Sequence, residues 1–220
     1  MSKFESLDVD PNRAQEHLVS GFGSPGRAVF IYCCQQDLCD FFYRWGGLTS
    51  MPSITITVVD HINSATKLSL LIQRHIEEIF SDLLSSDDVG VVNVRWMTSS
   101  PAAGDQDLVL HFVKDVASSY IAQNMPGAPI SSNDGGFTRS RGDVTGSEFY
   151  RFPAGFPKGT TATGYAKLAA HEAMHNVTGL GNAQLHGLGG ISSSPPQLPV
   201  TADNRTLFQN SLSSIPNQLL

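Results

Sequence analysis

His171 and His175 stand four residues apart, with Glu172 directly after the first, in the stretch His171-Glu172-Ala173-Met174-His175. On an α-helix that spacing separates the two side chains by about 40° around the axis and roughly 6 Å along it. Both imidazoles can then reach one Zn²⁺ at about 2.0–2.1 Å. Glu172, beside the first of them, can lean over the open side of the ion, where it would hold and deprotonate a water molecule. With 7 histidines and six glutamates in 220 residues, an H-E-x-x-H is expected roughly 0.006 times by chance, so the pattern is specific.

Two imidazoles do not complete a catalytic site; a third protein ligand is needed. No glutamate follows Glu172 and no tyrosine follows Tyr165. Beyond the motif the only histidine is His186 and the only acidic residue Asp203. Imidazole is a good zinc ligand, and Gly179 and Gly181 lie between the helix and His186. Glycines at those positions can take the positive φ that ends a helix and turns the chain back toward its own face. His186 is therefore the expected third ligand. Asp203 is its rival, and a cysteine from a core strand is a further option. His61, His75 and His111 read as packing or surface residues.

The elements that must position this group are legible in part. Residues 54–59 are rich in β-branched residues and read as a strand. Asn63 or Ser64 can cap a helix over 64–84, in which Leu68, Leu71, Ile72, Ile76, Ile79, Phe80 and Leu83 recur at helical spacing. Residues 91–96, 108–113 and 146–152 read as further strands, and 28–32 as an earlier one. Residues 121–143 read as a long Gly/Pro/Ser/Asn-rich loop; Arg141-Gly142-Asp143 within it reads as a turn. Thr160 or Thr161 caps an Ala-rich helix over 162–177 that carries the motif. This order implies an α/β (α+β) fold with helices packed against a sheet.

With these elements in place, the chain resembles the metzincin-like zinc metallopeptidases. The resemblance rests on His171-Glu172-x-x-His175, a glycine soon after, a third histidine further on, and the order of elements from about residue 53 to His186. It departs from the metzincin pattern H-E-x-x-H-x-x-G-x-x-H in two ways. Gly179 is one residue late, and His186 is five residues late because Gly181 holds the family position. No methionine follows Met174, so the Met-turn is absent or built from other residues, with 188–191 as a candidate apolar floor. The resemblance is thus to a divergent member of the family with an expanded third-ligand loop. The resemblance implies a zincin-like twisted mixed sheet, a backing helix at 64–84, and an edge strand at 146–152 that holds an extended peptide. Residues 1–26 are polar and irregular and read as a flexible tail; the resemblance then implies one catalytic domain at 27–220, with an upper subdomain at 27–178 and an irregular C-terminal subdomain at 179–220.

The implied activity is hydrolysis of peptide bonds by a water activated on one Zn²⁺, held by His171, His175 and His186, with Glu172 as general base. The same ligands suit a zinc amidase acting on a non-protein or cell-wall amide. Long polar tails also suit a non-catalytic cargo or structural component of a secreted particle, delivered by a larger machine. The formal charge of -6, from 14 Lys+Arg against 20 Asp+Glu, argues against a nucleic-acid binder with a broad basic surface. No apolar run approaches the 18 or more residues of a membrane span. Cys33, Cys34 and Cys39 crowd into seven positions, a poor disulfide framework. With no signal-peptide h-region visible, cytoplasmic synthesis is expected, and export independent of a signal peptide stays open. The partner implied is a peptide or protein substrate.

Overall fold

A computed structural model describes residues 54–85, 91–102, 107–127, 130, 135–152 and 160–220, all within one unit, Thr49–Leu220. The expected tail, the strand at 28–32 and the three cysteines lie outside the described residues. Six strands and five helices are ordered β1 (Ile54–Asp60), α1 (Thr66–Leu83), β2 (Val92–Met97), β3 (Leu108–Val113), α2 (Tyr120–Asn124), β4 (Gly136–Arg141), β5 (Val144–Tyr150), α3 (Ala162–Thr178), α4 (Asn182–Leu185), α5 (Ala202–Ser211) and β6 (Asn217–Gln218). The fold is mixed α/β, as the element order implies. No helix among the described residues is long and apolar enough to cross a membrane.

The strands form one mixed sheet in the order β2-β1-β3-β5-β4, with β6 also paired to β5. Every pairing is parallel except β4 with β5, where Thr138 faces Ser147 across an antiparallel ladder. Parallel strands covered by helices are apolar along their whole length, and β3 (Leu-Val-Leu-His-Phe-Val) is buried at all six positions. α1 and α3 pack against one another and against the sheet, α1 over β2 and α3 over β5 and β4. Between them lies the core: Ile56, Val58, Leu110, Phe112 and Phe149 from the sheet meet Ile72, Ile76 and Phe80 of α1 and Tyr165, Ala169 and Ala173 of α3. The rings of Phe112 and Phe149 stack at 4.7 Å.

Five expectations require correction. The strand at 146–152 runs from Val144 to Tyr150 and lies inside the sheet, between β3 and β4. The edge is β4, which falls in the stretch expected to be loop; the hairpin that makes it turns at Gly142 (φ 64) and Asp143. α1 begins after Ala65 with no side-chain cap. Ser64 cannot serve, because its hydroxyl and amide both donate to Asp60, which also accepts from Ile62 N (3.0 Å) and Trp96 Nε1 (3.0 Å). Leu71 of the expected stripe is exposed. The C-terminal stretch is not irregular throughout. Thr201 and Asn204 form a reciprocal capping box that starts α5, Phe208 of α5 is buried against Phe80, and β6 joins the sheet.

On the sheet's other face, His111 donates from Nε2 to the Leu219 carbonyl (3.1 Å), so its Nδ1 accepts from His61 Nε2 (3.0 Å). Tyr120 stacks on both rings. Burial pushes His111 down to about 4; the Leu219 carbonyl opposes this and His61 adds to it. A folded pKa below the ordinary 6.5 means that the unfolded chain binds the proton more readily. The stability involved is fully present above pH 6.5 and is lost as pH falls toward 4. It amounts to roughly 3 kcal/mol. Denaturant titrations from pH 7 to pH 4 are expected to show this decline. His111→Gln, which can keep both hydrogen bonds, should show a shallower one; His61, His171, His175 and His186, shifted in the same direction, supply the remaining slope in metal-free protein.

Candidate metal centre

α3 is unusual in being buried without a break from Leu168 to Val177. Its small residues Ala166, Ala169, Ala170 and Ala173 let the helix sit close to the sheet, and they carry the motif into the interior with it. Thr161 caps its start, accepting from Gly164 N (3.2 Å). Gly179, at φ 67, ends it in the left-handed conformation expected of a C-terminal glycine. Gly181 does not share that conformation. Its φ is −80, and it opens the short helix α4, whose buried Leu185 anchors the chain just before His186.

His171, His175 and His186 converge. Their ring centroids lie 4.9, 5.1 and 5.5 Å apart, and one ligand atom from each falls within 4.8 Å of the others. The cluster could hold a metal ion, and the state of the ring nitrogens fits one. His171 Nδ1 lies 2.9 Å from the Ile191 carbonyl and His175 Nδ1 2.7 Å from the Leu180 carbonyl. A carbonyl only accepts, so each Nδ1 carries the proton and each Nε2 presents a lone pair. His186 Nε2 is buried and has no hydrogen-bond partner among the described residues. Such an atom is costly to bury without a partner, and a metal ion would supply one. Burial lowers the pKa of all three. His171 falls to about 4, with the Ile191 carbonyl opposing and the other two rings assisting; His175 is lowered against the pull of the Leu180 carbonyl, and His186 by burial alone. All three are thereby held neutral near pH 7, the form that ligates metal.

Glu172 lies 5% exposed between α3 and β4. The Thr138 hydroxyl is 2.8 Å from its Oε2 and 3.0 Å from its main-chain oxygen. Gly136 makes room for it: a Cβ there would come within 2.6 Å of Glu172 Cγ, 2.7 Å of Oε1 and 2.7 Å of the Glu148 carbonyl. Neither Thr138 nor Gly136 was expected at the site. The signal available was the Gly135-Gly136 pair followed by alternation of Thr138 and Ser140 with larger residues. A cavity of about 520 Å³ opens over the cluster, bounded by β4 on one side and by Pro195 and Pro196 on another.

The remaining candidates lie elsewhere. Asp203 is exposed in the first turn of α5 and outside the cluster. His75 pairs with Glu78 on the surface of α1 (2.8 Å), and His61 and His111 bond to one another. Of the stretch 188–191, Ile191 is buried in the core, and what reaches His171 is its carbonyl. Comparison with protein-family models, curated proteins and solved structures finds no match to this chain in any of the three.

The cluster makes a direct prediction. His186→Ala should weaken uptake of a divalent metal ion at least about 100-fold in a chelator-competition titration at pH 7, since only two imidazoles of the cluster would remain. Asp203→Ala should leave uptake unchanged.

Proposed function

We propose that this chain is a zinc-dependent metallopeptidase, a divergent relative of the metzincin-like enzymes. The observation that carries the reading is the convergence of three neutral imidazoles, two of them buried and the third half-buried, beside a buried carboxylate, at a cavity bordered by the open edge of a sheet. His171, His175 and His186 would hold the ion through Nε2. When bound, zinc supplies Lewis acidity that polarises a carbonyl and makes a water molecule acidic near neutral pH.

The chain's own groups do the rest. Glu172 takes the proton of the attacking water and returns it to the leaving amine. Thr138, donating to Oε2, fixes the carboxylate and leaves Oε1 toward Gly136. β4 supplies the means of holding an extended peptide. Tyr150 N donates to the Gly135 carbonyl (3.0 Å), and in an antiparallel ladder hydrogen-bonded pairs alternate. The main-chain groups of Gly136, Thr138 and Ser140 therefore point away from β5, toward an edge that no described strand occupies. A peptide laid along that edge gains main-chain pairing and passes over the cluster.

Zinc-loaded protein is expected to cleave a peptide library, read as new amino termini by mass spectrometry. Removing zinc with a chelator should abolish cleavage while circular dichroism shows the fold retained. Glu172→Gln should keep zinc affinity and lose on the order of 10²–10⁴ in turnover; wild-type-like turnover would remove Glu172 from the mechanism. No cleavage by the loaded wild-type chain would remove the peptidase reading.

Gly136→Ala offers a separate check. Its methyl group has no room beside Glu172 and the Glu148 carbonyl, so turnover should fall at least about tenfold, as expected when a reacting group is displaced. Zinc affinity should stay the same, because none of the three imidazoles is touched.

A further inference from the structure

The turn that follows His186 is held by a side chain that belongs neither to the motif nor to the cavity wall. Asn204, in the first turn of α5, is fully buried. Its Oδ1 accepts from Ile191 N (3.2 Å) and from Thr201 N (3.2 Å). Its Nδ2 donates to the Gly189 carbonyl (3.3 Å) and to Ser192 Oγ (2.9 Å). Two donors and two acceptor positions are the full capacity of an amide, and here all are used.

The turn is pressed against that amide. Gly190 has φ +56, and a Cβ there would lie 2.6 Å from Asn204 Oδ1, 2.7 Å from Thr201 Cγ2 and 3.0 Å from the Pro199 carbonyl. Asn204 thus grips the chain at Gly189, Ile191 and Ser192. The Ile191 carbonyl inside that grip accepts from His171 Nδ1. Gly189, at its start, follows the short helical turn His186–Leu188 that presents the third ligand.

We propose that Asn204 is a positioning residue for the metal centre, orienting His171 through the Ile191 carbonyl and fixing the segment that carries His186 through Gly189. The inference rests on the metal-binding reading above. Its physical basis is the general one for groups behind metal ligands: a ring already tied to a rigid acceptor has less freedom to lose when it ligates. Without the amide, Ile191 N and the Gly189 carbonyl lose their buried partner, and the turn is free to relax away from His171.

The test uses the full chain, prepared metal-free, with zinc affinity measured by competition with a chromophoric chelator. Visible absorption of the cobalt-substituted protein and thermal unfolding of the metal-free form are recorded alongside. Asn204→Ala is expected to weaken zinc binding by about 10- to 100-fold and to change the cobalt spectrum. Arg205→Ala is the control, since Arg205 ties α5 to Asp82 of α1 and touches nothing in the turn. It should lower the unfolding temperature yet leave zinc affinity within about twofold and the spectrum unchanged. If Asn204→Ala fails to fold, Asn204→Asp replaces it. Asp keeps both acceptor contacts and forfeits both donor contacts, with an expected loss of about 3- to 10-fold. Wild-type affinity in whichever variant folds overturns the proposal, as does an equal loss in Arg205→Ala. A wild-type chain that takes up no zinc overturns the metal reading itself and this inference with it, a result distinct from normal uptake by wild type and variant alike.

Discussion

Polar side chains buried within a helix that is covered on every side must each be met by a partner, and much of what surrounds α3 meets that demand. His171, Glu172, His175 and Asn176 are at most 9% exposed. Between them they meet the returning chain, the edge strand, β5 and β6. The Ile191 and Leu180 carbonyls come from the chain that folds back beyond Gly179, and the Thr138 hydroxyl comes from the edge strand. Asn176 donates to Ser147 of β5 and exchanges hydrogen bonds with Gln218 of β6. An unmade hydrogen bond at a buried group costs about 1–3 kcal/mol, so four such groups are enough to dictate how these segments are placed. Among the fully buried imidazole nitrogens of the described residues, His186 Nε2 is the one left without a hydrogen-bond partner, and its ring belongs to the group that could hold an ion.

The antiparallel strand follows from the same geometry. Five strands in parallel register leave their helices on the sheet's faces and offer no short route to a new edge. A hairpin at Gly142 and Asp143 does so in two residues, placing β4 beside β5 with its start against Glu172. Glycine at 136 allows the approach, and threonine at 138 uses it, because alternate residues of a strand face the same side. One strand thus sets the carboxylate with its side chains and leaves main-chain groups turned outward along the cavity.

Much of this was legible in the sequence where one element buries an apolar face. β1, β3 and α3 lie within a residue or two of the positions read from β-branched runs, continuous apolar residues and an Ala-rich stretch with a Thr cap. His186 could be reached by elimination, since the chain offers no other histidine past the motif. β4 could not: Gly-Phe-Thr-Arg-Ser-Arg is mostly polar because one of its edges pairs with nothing described, and edge strands favour such residues. α5 was hidden for a related reason. It buries little beyond Asn204 and Phe208, too few for a helical stripe, and its start is marked by a capping box with asparagine in place of the usual Glu or Gln. Gly181 misled, because a glycine near a helix end signals positive φ only on average, and here the residue instead opens the next short helix.

The choice of partners for the ring nitrogens has a chemical consequence. Metal-binding histidines are often backed by carboxylates, which make the ring more basic and reduce the positive charge that the ion presents. Here both helix histidines are backed by main-chain carbonyls, which orient the ring and fix its tautomer without adding a charge. The three-imidazole set is itself neutral, so an ion held there would keep its full charge toward the cavity. Glu172 is then the one acidic side chain among the described residues lining that cavity. In the proposed enzyme, the charge of a bound ion would draw a polarisable carbonyl and a water molecule to the cavity, and Glu172 would give the water's proton one place to go.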